Sequence, residues 1–553
     1  MFGRSRVKST PPSMAVYVSL FCHFVLITNS DRRFSFWHKE FHKGHKNGQH
    51  FVPRVSDQRH FRSLWYKFWR MRAGILLAFV LLGVVRAESQ SIKLQPCEVA
   101  GTAPNAKLQV LCGSLEVFED RKKAAGRKIG LAIQVYPATG VKKDPDPVFY
   151  IPGGPGSSAI EDAPYIAEDL KKIRETRDLV FVDQRGTGSS NGLVCELFDP
   201  GDVASYLGHW NPPERVRECR KRLESKADLR LYVTTLAMDD LDDVRAALGY
   251  DKINLFGGSY GTRAVQVYIK RHPDRVRSAV LHGVSPTDQW MPAEFPRQTE
   301  TALQGLIDEC LADAACKAAF PNVREEARAV LAALKKGPVE AEITPPPDRK
   351  PVKVKLSRDL AGEAVRYMLY QSGSAGRIPL YLHLASQGDY APLATAALMF
   401  RRRIVSTGAT GLYLSITCAE DVPFVRDDAA RGKLDDTFLG DYRYRQMREA
   451  CNEWPRGEMD KDYFKPVRTN APVLITTGNL DPVTPPLYGD RVAKGMPNSF
   501  HVVVPSGGHG FSGLKGRDCI TNLIVEFIRS ATVKGLDTSC VKSIRREGFL
   551  LKL

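Results

Sequence analysis

The 553-residue sequence predicts an α/β fold, a mostly parallel, doubly wound sheet interrupted by a large helical insertion. Three observations carry that expectation. Short β-branched or aromatic runs alternate with helix-period patterns from about residue 147 to 283. From about 290 to 465 the alternation stops and the chain reads as helix-rich and irregular. After 472 the strand pattern returns, as though one sheet closed again around the insertion. The composition, 43% hydrophobic and 25% charged, is that of a globular chain long enough to bury a large core.

In chain order, residues 1–70 come first and are strongly basic. They hold thirteen Lys/Arg and three acids, and so contribute +10 of the formal net charge of +17. The remaining +7 is spread over some 480 residues, so the folded body is not expected to bind nucleic acid. The segment "MRAGILLAFVLLGVVRAESQ" (71–90) then has the layout of a secretory signal peptide. Arg70 and Arg72 flank the apolar run Gly74 to Val85, and Val85-Arg86-Ala87 fits a small-x-small cleavage site. The run is short for a membrane span. Residues 71–87 are therefore read as a signal peptide, and 1–70 as an over-extended start or unusual leader, disordered. The apolar stretch Met14 to Thr28, broken by Cys22-His23, is a weaker anchor candidate. Membrane contact is expected only through the signal segment, and the mature chain is expected to be secreted or periplasmic.

Residues 88–289 form the first part of the sheet domain. "PVFYI" (147–151) and "DLVFVD" (178–183) read as buried strands. "TTLAMDDLDDVRAALG" (234–249) reads as a helix, with Thr234 or Thr235 as N-cap and Gly249 as its stop. Strand "KINLF" (252–256), helix "GTRAVQVYIKRH" (261–272) and strand "SAVLHG" (278–283) follow. Residues 290–465 are the helical insertion, interrupted by a "TPPPDRKP" linker (344–351). Residues 466–553 complete the sheet domain with strands "PVLITTG" (472–478) and "SFHVVVP" (499–505) and helix "NLIVEFIRSA" (522–531). After residue 87 ten cysteines remain, an even number that suits disulfides in an exported chain. Ten cysteines allow hundreds of pairings. Their spacing suggests neighbours: Cys97–Cys112, Cys195–Cys219, Cys310–Cys316, Cys418–Cys451 and Cys519–Cys540. No CxxC pair is present, so metal-binding or catalytic thiols are not expected.

Two stretches match G-x-S-x-G. Gly257-Gly258-Ser259-Tyr260-Gly261 lies between a strand and a helix pattern, where a sharp turn can lift the serine hydroxyl above the sheet. Gly188-Ser189-Ser190-Asn191-Gly192 has no helix after it. Ser259 is therefore the expected nucleophile, and Ser190 a loop residue. A serine needs a base, and the base an orienting acid. Of the six histidines after residue 87, His509 stands in a Gly-flanked loop beyond the last strand. His282 and His501 fall in strands, His272 closes a helix, and His209 and His383 lie outside the sheet core. Asp481, in "TTGNLDPVTPP", lies just beyond the penultimate strand. The run "IPGGPGSS" (151–158) follows an early strand. Its glycines let backbone approach a substrate, so the N–H groups of Gly154 and Tyr260 are the expected oxyanion hole. No phosphate-loop motif is present.

Taken together, "GGPG" (153–156), "DQRGTGSS" (183–190), "GGSYGTR" (257–263), "GNLDPVTPP" (478–486), "GGHG" (507–510) and "CNEWP" (451–455) resemble the serine aminopeptidase branch of the α/β-hydrolase superfamily. The likeness is to proline iminopeptidases and especially tripeptidyl aminopeptidases, over about residues 97–540. Pro152 stands where iminopeptidases usually carry His, which favours the tripeptidyl type. The resemblance implies an α/β-hydrolase fold with a helical cap and no cofactor. It also implies a peptide substrate with a free N-terminus and the triad Ser259, Asp481 and His509. An acidic group should hold the substrate's ammonium, with Glu420 and Asp421 as candidates. Asp183 and Arg185 are expected to build a turn. An exported carboxylesterase or lipase with the same triad is the alternative reading, and a non-catalytic binding protein on this fold is a third.

Overall fold

The computed structural model describes residues 92–346, 350–425 and 434–553. The expected leader and signal segment lie outside the described residues. Three strands open the main sheet: β1 (Gln95–Ala100), β2 (Lys107–Phe118) and β3 (Lys128–Tyr136), all paired antiparallel. The parallel part comprises β4 (Val148–Ile151), β5 (Leu179–Val182), β6 (Ile253–Gly258) and β7 (Val276–His282). It is completed by β10 (Val473–Gly478) and β11 (Ser499–Val504). Together they form a nine-stranded sheet in the order β1-β2-β3-β5-β4-β6-β7-β10-β11. Within the helical stretch, β8 (Val339–Ile343) and β9 (Val352–Leu356) pair antiparallel as a separate two-stranded sheet.

The strands that β4 meets decide where a site forms. From β4 the chain crosses to β5 on one side, then returns to place β6 on the other. In open parallel sheets such a reversal leaves a crevice at the carboxyl ends of the two central strands. Here those ends are Ile151 and Gly257, which pair with each other.

Six helices matter for the site. They are α1 (Ala159–Asp169), α2 (Thr234–Ala247), α3 (Tyr260–Arg271), α4 (Met291–Ala312), α5 (Arg358–Met368) and α6 (Ala391–Thr407). Two more, α7 (Thr410–Glu420) and α8 (Tyr442–Asn452), end the helical stretch between β7 and β10, and α9 (Asp518–Ser530) closes the fold. Residue Val233, not Thr234 or Thr235, occupies the N-cap of α2, because the Thr234 N–H is accepted by Glu420 at 2.7 Å. The helical stretch has two parts. Leu303, Leu306, Phe320, Val330, Leu360 and Leu398 share a hydrophobic cluster of their own. Leu412, Leu414, Ile416 and Met447 of α7 and α8 instead join the main cluster with Phe149, Leu255 and Leu281 of the sheet. All five neighbouring cysteine pairs are disulfides, and Cys418–Cys451 staples α7 to α8.

Candidate active site

Ser259 stands between β6 and α3 with φ 55° and ψ −124°, a strained conformation for a residue with a side chain. Three contacts hold it there. Its N–H donates to the His282 carbonyl at 2.9 Å, and its carbonyl accepts the Thr262 N–H and hydroxyl at 2.9 and 2.6 Å. Gly261 allows the turn because a Cβ there would run into the Ile151 carbonyl. Ser190 is a different kind of serine. It is buried, and its Oγ accepts the Ala132 N–H at 2.8 Å, tying the loop after β5 to β3.

The loop after β4 lies directly against Ser259. A Cβ placed on Gly153 would sit 3.0 Å from Ser259 Cβ and 3.6 Å from its Oγ. Gly154, one residue on, has φ +114° and lines a cavity of about 150 Å³ with Pro155 and Ser157. Asp183 braces the loop from below, accepting the Ser158 hydroxyl at 2.6 Å and the Ile160 N–H of α1 at 3.2 Å. Arg185 is fully buried. It forks onto Asp240 at 2.6 and 2.8 Å and also donates to the Glu119 and Leu231 carbonyls. Both residues are parts of the frame.

At the ends of β10 and β11, His509 Nδ1 lies 2.8 Å from Asp481 Oδ2. Asp481 is buried, and its Oδ1 accepts the N–H groups of Val483 and Thr484 at 2.9 and 2.8 Å. The Thr484 hydroxyl lies 2.6 Å from Oδ2 and 2.9 Å from His509 Nδ1, so it bridges the pair. Burial pushes the Asp481 carboxyl up, but the charge of His509 and the bonds from His509 and Thr484 outweigh it and hold the carboxyl below its ordinary value. With Nδ1 committed to Asp481, Nε2 is the nitrogen left for proton transfer. The imidazole edge rests over Gly283, where a Cβ would lie 3.1 Å from His509 Cε1. That glycine follows His282, to which Ser259 is bonded. The helical stretch helps to hold this loop: the Gly510 N–H donates to the Tyr370 carbonyl at 2.7 Å, and the Tyr370 ring meets His509 edge-on at 4.9 Å.

The other histidines are engaged elsewhere. His209 pairs with Glu449, His272 with Asp239, His383 with Glu326 and His501 with Asp490. His282 contacts the Thr476 hydroxyl at 3.0 Å.

The acidic pair Glu420 and Asp421 departs from expectation. Neither is on the surface, and neither lines the cavity beside Gly154. Glu420 accepts the Thr234 N–H and hydroxyl at 2.7 and 2.8 Å, and the Tyr463 hydroxyl. Asp421 is paired with Arg263 at 2.9 Å, with both side chains fully buried. These contacts tie α7 to the first turns of α2 and α3, and Asp421 Oδ2 is left without a hydrogen-bond partner.

Thr484 and Tyr370 join the site without having been expected there. Thr484 had a local signal, since an Asp followed three residues later by Thr is a common self-capping turn. Tyr370 had none, because only the tertiary fold brings it to His509. A far larger cavity, about 1230 Å³, lies elsewhere, around Lys252, Val276 and Pro472 at the amino-terminal starts of β6, β7 and β10. Size alone therefore does not mark the site. Among the described residues no group of three or more His, Cys, Asp or Glu could hold a metal ion, and no helix is long and apolar enough to cross a membrane.

The alpha/beta hydrolase fold model matches residues 146–327, and the TAP-like protein model matches 436–540. The chain has the α/β-hydrolase fold. The two matches cover the serine elbow and the Asp–His end, and the relatives point to the serine aminopeptidase branch. Serine protease Hip1 of Mycobacterium tuberculosis is 26% identical over 529 residues, covering 85% of this chain and 97% of that protein. Tripeptidyl aminopeptidase of Streptomyces lividans is 29% identical over 219 residues, covering 37% of this chain and 40% of that one. Among solved structures, proline iminopeptidase of Mycobacterium smegmatis is 15% identical with a TM-score of 0.36, covering 76% of this chain and 98% of that one. This α/β-hydrolase is a serine hydrolase of the peptidase-related kind, and its five disulfides suit an extracellular or envelope protein.

Proposed function

We propose that this protein is an exported serine peptidase, secreted or periplasmic, that releases short peptides or single residues from free peptide N-termini. Residues 88–289 and 466–553 act as the hydrolase core, and 290–465 as its cap. The observation that carries the reading is the His509–Asp481 bond of 2.8 Å at the sheet edge that also holds the strained Ser259 turn. In the proposed reaction His509 Nε2 takes the Ser259 proton as Oγ attacks the scissile carbonyl. The oxyanion is held by the N–H groups of Tyr260 and Gly154. His509 then returns the proton to the leaving amine, and water releases the acyl group by the same route.

The competing reading is an esterase with the same triad. One observation favours it: no acidic residue is among those lining the cavity beside Gly154. Purified protein given free-amine and N-acetylated peptide arylamides, alongside short p-nitrophenyl esters, separates the two. Free-amine arylamides should be cut and acetylated ones spared, with Ser259→Ala inactive on both. Cleavage of esters alone, or of blocked peptides equally well, would sink the aminopeptidase reading. An active Ser259→Ala would remove the nucleophile.

A further inference from the structure

The cavity beside the Gly153-Gly154 loop is small, largely aromatic, and carries unbalanced positive charge. Trp210, Phe295, Phe400 and Tyr413 supply much of its wall, and its two ionisable groups of fixed charge are Arg366 and Arg443. Arg366 is satisfied: Nε and Nη2 donate to Glu363 Oε2 at 3.1 and 2.7 Å, and Nη1 to the Tyr370 hydroxyl at 2.6 Å. Arg443 is not. Its side chain is 6% exposed, its Nε lies 3.5 Å from Glu363 Oε1, and Nη2 reaches the Tyr413 hydroxyl only at 3.4 Å. Nε and Nη1 have no hydrogen-bond partner.

Two guanidiniums thus share one carboxylate. Burial pushes Glu363 up, yet Arg366 and Arg443 outweigh it and keep its carboxyl below the ordinary value, so Glu363 cancels one positive charge and leaves the other. Arg443 also stacks over the Trp210 ring, 3.9 Å from its centroid, and a third cation, Arg401, lies 4.2 Å from that centroid with its donors spent on the Tyr206 and Gly208 carbonyls. A buried guanidinium that shares its carboxylate and leaves two nitrogens without hydrogen bonds is costly until a second anion arrives, and its planar fork matches a carboxylate. The volume of about 150 Å³ suits one side chain, since a void of that size holds about a benzene.

We infer that this cavity is a subsite for an acidic side chain of the substrate, aspartate or glutamate in size, with Arg443 as its specificity-determining residue. The inference rests on the proposed site at Ser259 but not on the bond cleaved there. A substrate ammonium is repelled from this wall, which accounts for the absence of acids along it.

The test is a matched series carrying Glu, Gln or Lys beside the scissile carbonyl, prepared both as arylamides and as esters. Glu should exceed Gln in kcat/KM by about ten- to a hundredfold, the range for a charge-assisted hydrogen bond, and Lys should be slowest. In Arg443→Gln the Glu/Gln ratio should fall toward one, and in Arg443→Lys part of it should survive. Equal rates for Glu, Gln and Lys in the unmodified enzyme overturn the inference even if every Arg443 variant fails to fold. A Glu preference seen only with esters keeps the inference and overturns the peptidase reading. If neither series is cut, calorimetry of Ser259→Ala with glutarate against glutaramide decides: binding of glutarate alone supports the subsite, and equal or absent binding overturns it.

Discussion

Replacing Asp421 by Asn should destabilise the protein and leave substrate recognition alone. Arg263 and Asp421 are both fully buried, with Nη1 2.9 Å from Oδ1 and Nη2 donating to the Gln289 carbonyl. Asp421→Asn strands a guanidinium in the core. Breaking one half of a buried pair costs about 3–5 kcal/mol, because the remaining charge has no water to return to. The compact unit Ser89–Leu553 has 465 residues. At about 2 cal/mol/K per residue its unfolding entropy is about 1 kcal/mol/K, so Tm should fall by about 3–5 °C. Removing both charges, as Arg263→Met with Asp421→Leu, takes away the stranded group and should recover most of that loss. Calorimetric melting of the wild type, both singles and the double, read beside kinetics on free-amine and acetylated substrates, tests this account. Refutation has a specific form: Asp421→Asn melts within about 1 °C of wild type while KM rises for free-amine substrates only. Asp421 would then be an ammonium anchor after all.

Other perturbations follow from the same contacts. Gly153→Ala places a methyl 3.0 Å from Ser259 Cβ and 3.4 Å from the Gly258 carbonyl oxygen, and should lower kcat about a hundredfold with little change in Tm. Unchanged kcat would separate that loop from the chemistry. Gly154→Val, at φ +114°, should lose stability as well as turnover, so only the alanine at 153 isolates the catalytic effect. Burial, with the neighbouring His509 charge, pushes His282 down to about 4. The unfolded chain therefore binds a proton that the folded one refuses. Stability from this residue is whole above about pH 6.5 and drains as pH falls to about 4, by about 3 kcal/mol in all. Comparing Tm against pH for wild type and His282→Asn should show a flatter acid limb in the variant. Parallel curves would mean His282 titrates normally.

Much of this site was written in local sequence because its parts are strand ends. Ser259, Asp481 and His509 each follow a short apolar run by a few residues, and a run read correctly as a parallel strand carries the next loop to one common edge. The opening strands were missed for the same local reason inverted. β3 buries Ile129, Leu131, Ile133 and Val135 at alternate positions, a half-buried pattern that was legible. β1 contains Pro96 and has no fully buried residue, so nothing marked it as sheet. The depth of the acidic pair was illegible for a different reason. Polarity in a sequence says nothing about depth, and a charge becomes a core residue only when a distant chain supplies its partner. Arg263 is 158 residues from Asp421, and Thr234 is 186 from Glu420.

Glu420 also reaches the nucleophile turn. Its carboxylate holds the Thr234 hydroxyl at 2.8 Å, and that hydroxyl lies 2.7 Å from the Tyr260 phenol oxygen. Tyr260 is buried and follows the nucleophile directly, so its side chain is pinned from beneath while its own N–H is the proposed donor to the oxyanion. A donor works in a hole of this kind only if it is already aimed before charge develops. The bonds from Glu420 through Thr234 fix that aim from α7, which also forms one wall of the cavity through Tyr413. Glu420 therefore stands behind the nucleophile turn, and the charge that faces the cavity beside Gly154 is the opposite one.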